Sequence, residues 1–144
     1  MALNLAHLFY LTGEIRYREL FESLAAAFGS EIKAHPAGYT YFLSALELME
    51  GPVTTIVFAG QEVSRGVLHP LKGHFLPLVV WLSRDGADGR TVSLIAPFTD
   101  AMTSGDLSLH CCRDFACSLP VTEKENIEKR LEQLVSEEKG KGYG

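Results

Sequence analysis

The sequence lacks several features that would assign it to a large functional class. It has no apolar run of the roughly 18 residues that a membrane-spanning helix needs, and no basic region at its start that would indicate a signal peptide. Lys and Arg number 13 against 18 Asp and Glu, so we expect no nucleic-acid partner, because such binding needs dense positive charge. The glycine-rich phosphate-binding motifs G-x-G-x-x-G and G-x-x-x-x-G-K are also absent.

Cysteine is scarce as well. Three cysteines in 144 residues do not make the disulfide scaffold that small secreted domains use, so we expect a reducing, cytoplasmic location. Hydrophobic residues make up 47% of the chain and charged residues 22%, which are ordinary values for a globular protein. The length predicts one domain or one and a half, with enough chain to bury roughly two thirds of its unfolded surface.

The first 52 residues carry the pattern of helical hairpins. Residues 2–12 are apolar on most sides, which favours burial between neighbours, and Thr12-Gly13 is a typical helix end. A second helix is predicted to close at Gly29-Ser30 and a third at Gly51-Pro52. Apolar residues at helical spacing define both: Tyr17, Leu20, Phe21, Leu24, Ala25 and Phe28 in the second, and Phe42, Ala45, Leu46 and Met49 in the third.

From residue 53 the pattern changes to that of a small α/β segment, which we place at residues 53–137. Short β-branched and apolar runs predict strands, and a helical stretch is expected between residues 61 and 75. The predicted strands lie at residues 54–59, 78–82, 91–95 and 107–112.

The last helix has the clearest boundary signal. Thr122 and Glu125 form a T-x-x-E capping box, which predicts that Thr122 is the N-cap. The apolar stripe that follows comprises Ile127, Leu131, Leu134 and Val135. The polar, Gly-rich residues 138–144 are expected to form a flexible tail. The fold class is therefore α+β or α/β, with helical hairpins followed by a short sheet and a C-terminal helix.

The candidate chemistry is concentrated in residues 109–120, which hold all three cysteines. Alternation along a strand places His110 and Cys112 on one face and Cys111 on the other. A bond between Cys112 and Cys117 then requires a turn between them, and Arg113 near a sulfur would favour a reactive thiolate. Three interpretations stay open: inert core cysteines, a redox pair of Cys112 and Cys117, and a metal site of His110, Cys112 and Cys117. The metal interpretation is weak, because structural zinc sites use paired knuckles.

The pattern C-x-x-x-x-C-x-x-P from Cys112 to Pro120 resembles the C-terminal signature of the spermatogenesis-associated, thioredoxin-domain protein family. Members usually carry Asn-Phe within the motif, where this chain has Asp114-Phe115. The order of residues 2–13, 35–46 and 56–60 also resembles two late helical hairpins and a short strand in those proteins. The resemblance runs over nearly the whole chain.

The resemblance implies that the chain is a C-terminal piece. Full-length members begin with a thioredoxin-like domain and continue into a six-hairpin α/α toroid like that of sugar epimerases and glycosidases. The chain would be a structural, accessory portion that closes the toroid, with no catalytic residues and no cofactor of its own. Its partners would be the missing thioredoxin-like and toroid portions, or a second copy through self-association. The alternatives are a small thiol-redox module using Cys112 and Cys117, and an interaction domain that docks on a helical partner.

Overall fold

A computed structural model describes residues 1–60, 65–85, 89–102 and 105–140, and it shows helices layered on a small mixed sheet. The helices are α1 (Ala2–Thr12), α2 (Ile15–Ala34), α3 (Thr40–Glu50), α4 (Gly89–Ile95) and α5 (Lys124–Lys139). The strands are β1 (Thr54–Gly60), β2 (Val79–Asp85), β3 (Ser108–Arg113), β4 (Ala116–Cys117) and β5 (Val121–Thr122). Short 3₁₀ helices cover Pro36–Tyr39, Arg65–Leu71 and Pro97–Thr99. The mixed fold class, with helices first and a helix last, is confirmed.

The sheet is built around β1, whose seven residues are all buried. The strand order is β2-β1-β3-β4, and β5 also pairs with β3. β2 runs parallel to β1, whereas the other pairings are antiparallel. Because side chains alternate along a strand, Ile56 and Phe58 point to one face of the sheet, and Val57 and Ala59 point to the other. The sheet is therefore covered on both faces.

Helix α5 covers the face that carries Ile56 and Phe58. Its predicted apolar stripe is confirmed, since Ile127, Leu131 and Leu134 are buried in one cluster with those two strand residues. Helices α1 to α3 form a second cluster around Phe21 and Leu48, and this cluster joins the sheet through further buried residues. The joining residues are Val53, Leu78 and Val80.

The C-terminal ends of α1 to α3 follow their local sequence with one exception. Gly13 adopts the left-handed conformation, with φ of 75°, and its N–H donates to the Phe9 carbonyl at 2.8 Å, as expected for a glycine after a helix. The predicted end of the second helix at Gly29-Ser30 is wrong, because α2 continues to Ala34. Burial of Ile32 favours the extra turn, and Pro36 disfavours helical geometry in the residue before it.

The strand predicted at residues 91–95 is wrong, because this segment forms the helix α4. Its Leu94 and Ile95 side chains are exposed, so no buried sheet face exists there to select extended geometry. Arg84 of β2 contacts the segment and donates to the Ser93 hydroxyl at 3.3 Å. Of the helical stretch predicted at 61–75, residues 65–71 are a 3₁₀ helix, and residues 61–64 lie outside the described part.

The predicted N-cap of the last helix is also wrong. Thr122 belongs to β5 and pairs with Ser108 of β3, whereas Glu123 is the N-cap residue and makes no side-chain capping bond. Sheet pairing has therefore displaced the capping box. α5 extends to Lys139, two residues beyond the predicted boundary, and Glu138 is buried. Residues 141–144 lie outside the described part, and the boundary at residue 52 stays a prediction.

Thr122→Ala is expected to change the free energy of unfolding by less than about 0.5 kcal/mol, as is usual for an exposed surface residue. The Thr122 side chain is exposed and does not cap the helix, so its loss removes no capping bond. Chemical denaturation of the two proteins measures the difference. A loss of about 1 kcal/mol, which is typical of a removed N-cap, would show instead that Thr122 caps the helix.

Candidate functional site

The cysteine segment folds as a hairpin at the edge of the sheet. β3 and β4 are antiparallel, with Arg113 opposite Ala116 and Cys112 opposite Cys117. The Ser118 N–H donates to the Cys111 carbonyl at 3.0 Å and extends the pairing by one residue. The turn that a bond between Cys112 and Cys117 requires is therefore present, and it consists of two residues, Asp114 and Phe115.

Cys112 and Cys117 are joined by a disulfide with an S–S distance of 2.02 Å. Their environments differ, because Cys112 has no exposed surface whereas Cys117 is exposed. Cys112 packs with Val57 and Ala59 on one face of the sheet. One sulfur of the bond therefore lies in the core and the other lies in a strand that faces solvent.

Cys111 is a free thiol on the opposite face, as strand alternation predicted. It packs against the cluster that contains Ile56 and Leu109. Burial raises the pKa of the Cys111 thiol, although the nearby Arg130 guanidinium acts in the opposite direction. Cys111 is therefore protonated at neutral pH and is a poor nucleophile.

His110 does not assemble a metal site with the two bonded cysteines. Its Nε2 atom lies 3.2 Å from the Ser108 hydroxyl, and partial burial lowers the pKa of its ring. In the disulfide form neither Cys112 nor Cys117 offers the thiolate that zinc binds. Across the described ranges, no group of three or more His, Cys, Asp or Glu residues is placed to hold a metal ion.

Phe115 links the hairpin to the helical layer. The sequence pattern included it in the cysteine motif but did not predict these contacts. Its ring meets Phe9 of α1 edge-on at 5.3 Å between centroids, and it meets Phe98 at 5.5 Å. It stacks on Tyr10 at 6.3 Å. A Cβ added to Gly13 would lie 3.5 Å from the Phe115 ring, so the end of α1 forms one wall of this aromatic site.

The backbone of the turn is strained. Asp114 and Phe115 both have positive φ angles, 48° and 61°. Two-residue hairpin turns favour this geometry, but they usually place Asn, Asp or Gly there. A bulky residue in the left-handed region costs about 1–3 kcal/mol, so the aromatic contacts of Phe115 and the adjacent disulfide offset an unfavourable local conformation.

Charged side chains tie the same hairpin to α5. Arg113 lies 3.6 Å from a Glu137 carboxylate oxygen, and Arg130 lies 3.1 Å from the other oxygen. Arg113 and Glu137 are about half exposed, so each pair contributes no more than about 1 kcal/mol. The Arg113 guanidinium thus contacts α5. Its charge also acts to lower the pKa of the Cys111 thiol, as predicted for a nearby sulfur, but burial of that thiol outweighs this effect.

Cys111→Val is expected to be nearly neutral, with a change below about 1 kcal/mol, because the two side chains are similar in volume and apolar character. Cys112→Ser is the matched comparison. It breaks the disulfide and places a hydroxyl in an apolar site, so we expect a loss of about 2 kcal/mol or more. Denaturant midpoints measure both effects. Equal losses of stability in the two variants would show that the Cys111 site does not accept valine as this structure predicts.

A second candidate surface lies on α2 and α3. Leu20, Leu24 and Phe28 lie one turn apart along α2, and we call them the α2 stripe. Leu20 is 52% exposed and Phe28 is 44% exposed. Beside the stripe, an apolar groove of about 330 Å³ lies between α2 and α3. Its walls include Ala25, Gly29, Ile32, Pro36, Leu43 and Leu46.

Comparison with known proteins adds no relative. No family model, curated protein or solved structure matches the chain. Among the helices in the described ranges, none combines the length and the apolar character that crossing a bilayer requires.

Proposed function

We propose that the chain is a non-catalytic, structural portion of a larger helical assembly. In this proposal α1 to α3 close an α/α toroid, and the missing helices come from the N-terminal portion of a thioredoxin-domain parent protein. In the isolated chain, a second copy takes their place. The exposure of Leu20 and Phe28 in the α2 stripe is the observation that carries the proposal.

The apolar surface of α2 is wider than its neighbours cover. Phe21 and Ile32 of α2 are both buried, as expected for a helix with one covered face. Leu20 and Phe28 lie along the flank of the same face and stay exposed. Large apolar side chains clustered at a surface are typical of a site that another protein segment covers.

The shape of this surface fits a helix as its occupant. The α2 stripe forms a ridge of residues four apart, and such ridges pack into the grooves of a neighbouring helix. The groove between α2 and α3 is open where Gly29 contributes no side chain, so a ridge from the incoming helix has a complementary depression. The same packing would continue a row of antiparallel hairpins.

We expect the isolated chain to self-associate through the α2 stripe. Leu20→Ser with Phe28→Ser should weaken the association constant at least about tenfold, which corresponds to about 1.4 kcal/mol. Both residues are partly exposed, so the monomer should remain folded. Sedimentation equilibrium over a wide concentration range measures the constants.

Leu119→Ser is the matched control for that experiment. Leu119 is 89% exposed and lies between β4 and β5, on neither α2 nor α3. Its replacement should leave the association unchanged. A wild-type chain that stays strictly monomeric at high concentration, or equal weakening by the control, would contradict the proposal.

The disulfide favours a second candidate, a small thiol-redox module that exchanges with a dithiol partner. The supporting observation is that Cys117 is exposed and bonded to Cys112. Thiol titration tests it: without reductant the unfolded chain should show one thiol, and after native-state treatment with a reduced dithiol protein it should show three. If the native bond resists such treatment, the redox candidate fails and only the structural proposal remains.

A further inference from the structure

The disulfide, the turn and the aromatic site form one mechanical unit. The bond joins the second residue pair from the Asp114-Phe115 turn, one position beyond the pair Arg113 and Ala116, and both turn residues have positive φ. Phe115, the second of them, is the side chain that reaches Phe9 and Tyr10 of α1. A change at the sulfur atoms therefore acts directly on the contact between the hairpin and the helical layer.

We propose that the Cys112–Cys117 disulfide is a redox-sensitive latch that holds Phe115 against α1, and that a dithiol protein opens it by exchange at Cys117. This inference rests on the second candidate function, exchange of this disulfide with a dithiol partner, and adds what that exchange controls. It does not depend on the docking proposal, because the latch lies in the hairpin and not on the α2 stripe. Its ligand is defined by its chemistry, a pair of neighbouring thiols in a reducing protein.

The direction of attack follows from the unequal burial of the two cysteines. Cys112 has no exposed surface and is enclosed by Val57, Ala59 and Met102. Both residues of β4, including Cys117, are exposed. An incoming thiolate attacks a sulfur from the side opposite the S–S bond that it breaks. Of the two cysteines, the exposed Cys117 is the one that a protein-borne thiol can approach.

The exchange balances as two successive displacements. The partner's first thiolate bonds to the Cys117 sulfur, the Cys112–Cys117 bond breaks, and Cys112 leaves as a thiolate that takes a proton. The partner's second thiolate then attacks its own sulfur in the mixed disulfide and releases Cys117, which is protonated in turn. The chain gains two electrons and two protons, and the partner dithiol becomes a disulfide.

Cys111 does not compete in this exchange. It adjoins Cys112 in sequence, but it packs on the opposite face of the sheet with Ile56 and Leu109. Its sulfur is therefore directed away from the bond. The response to a dithiol is restricted to one pair of sulfurs even though three cysteines lie within seven residues.

Opening the bond removes the main restraint on a short and strained element. β4 contains two residues, so few backbone hydrogen bonds hold it once the bond is reduced. The positive φ angle of Phe115, unfavourable for a bulky residue, then favours relaxation of the turn, which withdraws the ring from its site. The end of α1 near Gly13 then loses its contact with the Phe115 ring. Its backbone hydrogen bonds open more easily, so its amide protons exchange faster.

The expected location of the chain gives the latch a use. Disulfides in the cytosol of most organisms are transient and are commonly catalytic or redox-sensing. In the reducing cytoplasm that the sequence predicts, the bond would be closed under oxidising stress and open otherwise. The contact of the hairpin with the helical layer would then report the thiol redox state.

Hydrogen exchange with the oxidised and the reduced full chain tests the latch, with reduced thioredoxin as the probe. Reduction should speed exchange about tenfold, through local opening, in residues 9–13 and 113–118, and should leave β1 and α5 unchanged. Circular dichroism confirms that both forms are folded. Identical exchange in the two segments before and after reduction would overturn the proposal.

Two variants separate the latch from a general loss of structure. Phe115→Ala keeps the disulfide but removes the ring, so residues 9–13 should exchange fast in both redox states. Cys111→Ala keeps the bond and the ring, so its response should match that of the wild type. If reduction still accelerates residues 9–13 in the Phe115→Ala variant, then Phe115 does not couple the hairpin to α1 and the inference fails.

Discussion

Replacing Phe58 by alanine should lower the free energy of unfolding by about 3–5 kcal/mol, the usual cost of removing a fully buried phenylalanine. Phe58 lies in the central strand β1 and has no exposed surface. Its ring fills the layer between the sheet and α5, beside Leu109 and Leu131. Because small domains are stable by only about 5–15 kcal/mol in total, this variant should lie close to the limit of folding.

Phe75→Ala is the matched control, because it removes the same ring from an exposed position. Phe75 is 75% exposed, and we expect a change within about 0.5 kcal/mol. Denaturant unfolding of both variants, followed by far-ultraviolet circular dichroism, measures the difference. Similar losses for the two variants would show that Phe58 does not fill the core described here.

Strongly periodic segments could be predicted from the sequence because burial alone determines them. The three N-terminal helices and the stripe on α5 each place apolar residues on a face that the structure covers, although Leu20 and Phe28 of α2 stay exposed. The ends of α1 and α3 were also predictable, because a glycine, a common residue after a helix, directly follows each of them, Gly13 and Gly51. The end of α2 was not, because the local signal of Gly29 is weaker than the burial of Ile32.

Short segments failed where distant contacts decide the outcome. Residues 91–95 contain β-branched side chains that favour a strand, but they form α4, in which the Ser93 hydroxyl accepts a hydrogen bond from the distant Arg84. Thr122 carries a good capping signal, but its backbone pairs with Ser108, which lies 14 positions earlier in the chain. Local propensity yields to tertiary pairing in both cases.

The candidate site was half predictable. Alternation along one strand is a local property, and it placed Cys111 and Cys112 on opposite faces as observed. The role of Phe115 depends on a positive φ angle and on rings from two distant elements, Phe9 and Phe98. A phenylalanine between two cysteines gives no sign of either. An aromatic residue where a turn usually needs Asn or Gly is the only local signal that could have drawn attention to it.

Gly51→Ala should destabilise the chain by about 2–3 kcal/mol, because it overpacks a junction whose neighbours cannot move freely. Gly51 follows α3 and leads into β1, and its N–H donates to the Glu47 carbonyl at 2.8 Å. A Cβ there would lie 2.6 Å from that carbonyl oxygen and 3.1 Å from both methyl carbons of Leu78. Leu78 is buried where the helical layer meets the sheet, so either α3 or this contact must shift.

Gly29→Ala should have the opposite sign, which makes it the sharpest control for Gly51→Ala. Gly29 lies inside α2, and an added Cβ would meet nothing within 4 Å. Alanine is favoured over glycine in a helix interior by about 0.5–1 kcal/mol, so this variant should be slightly more stable than the wild type. Thermal and denaturant unfolding of the two variants measures both signs. If Gly51→Ala were as harmless as Gly29→Ala, then α3 would not end against Leu78, and the helical layer would have to join the sheet in another way.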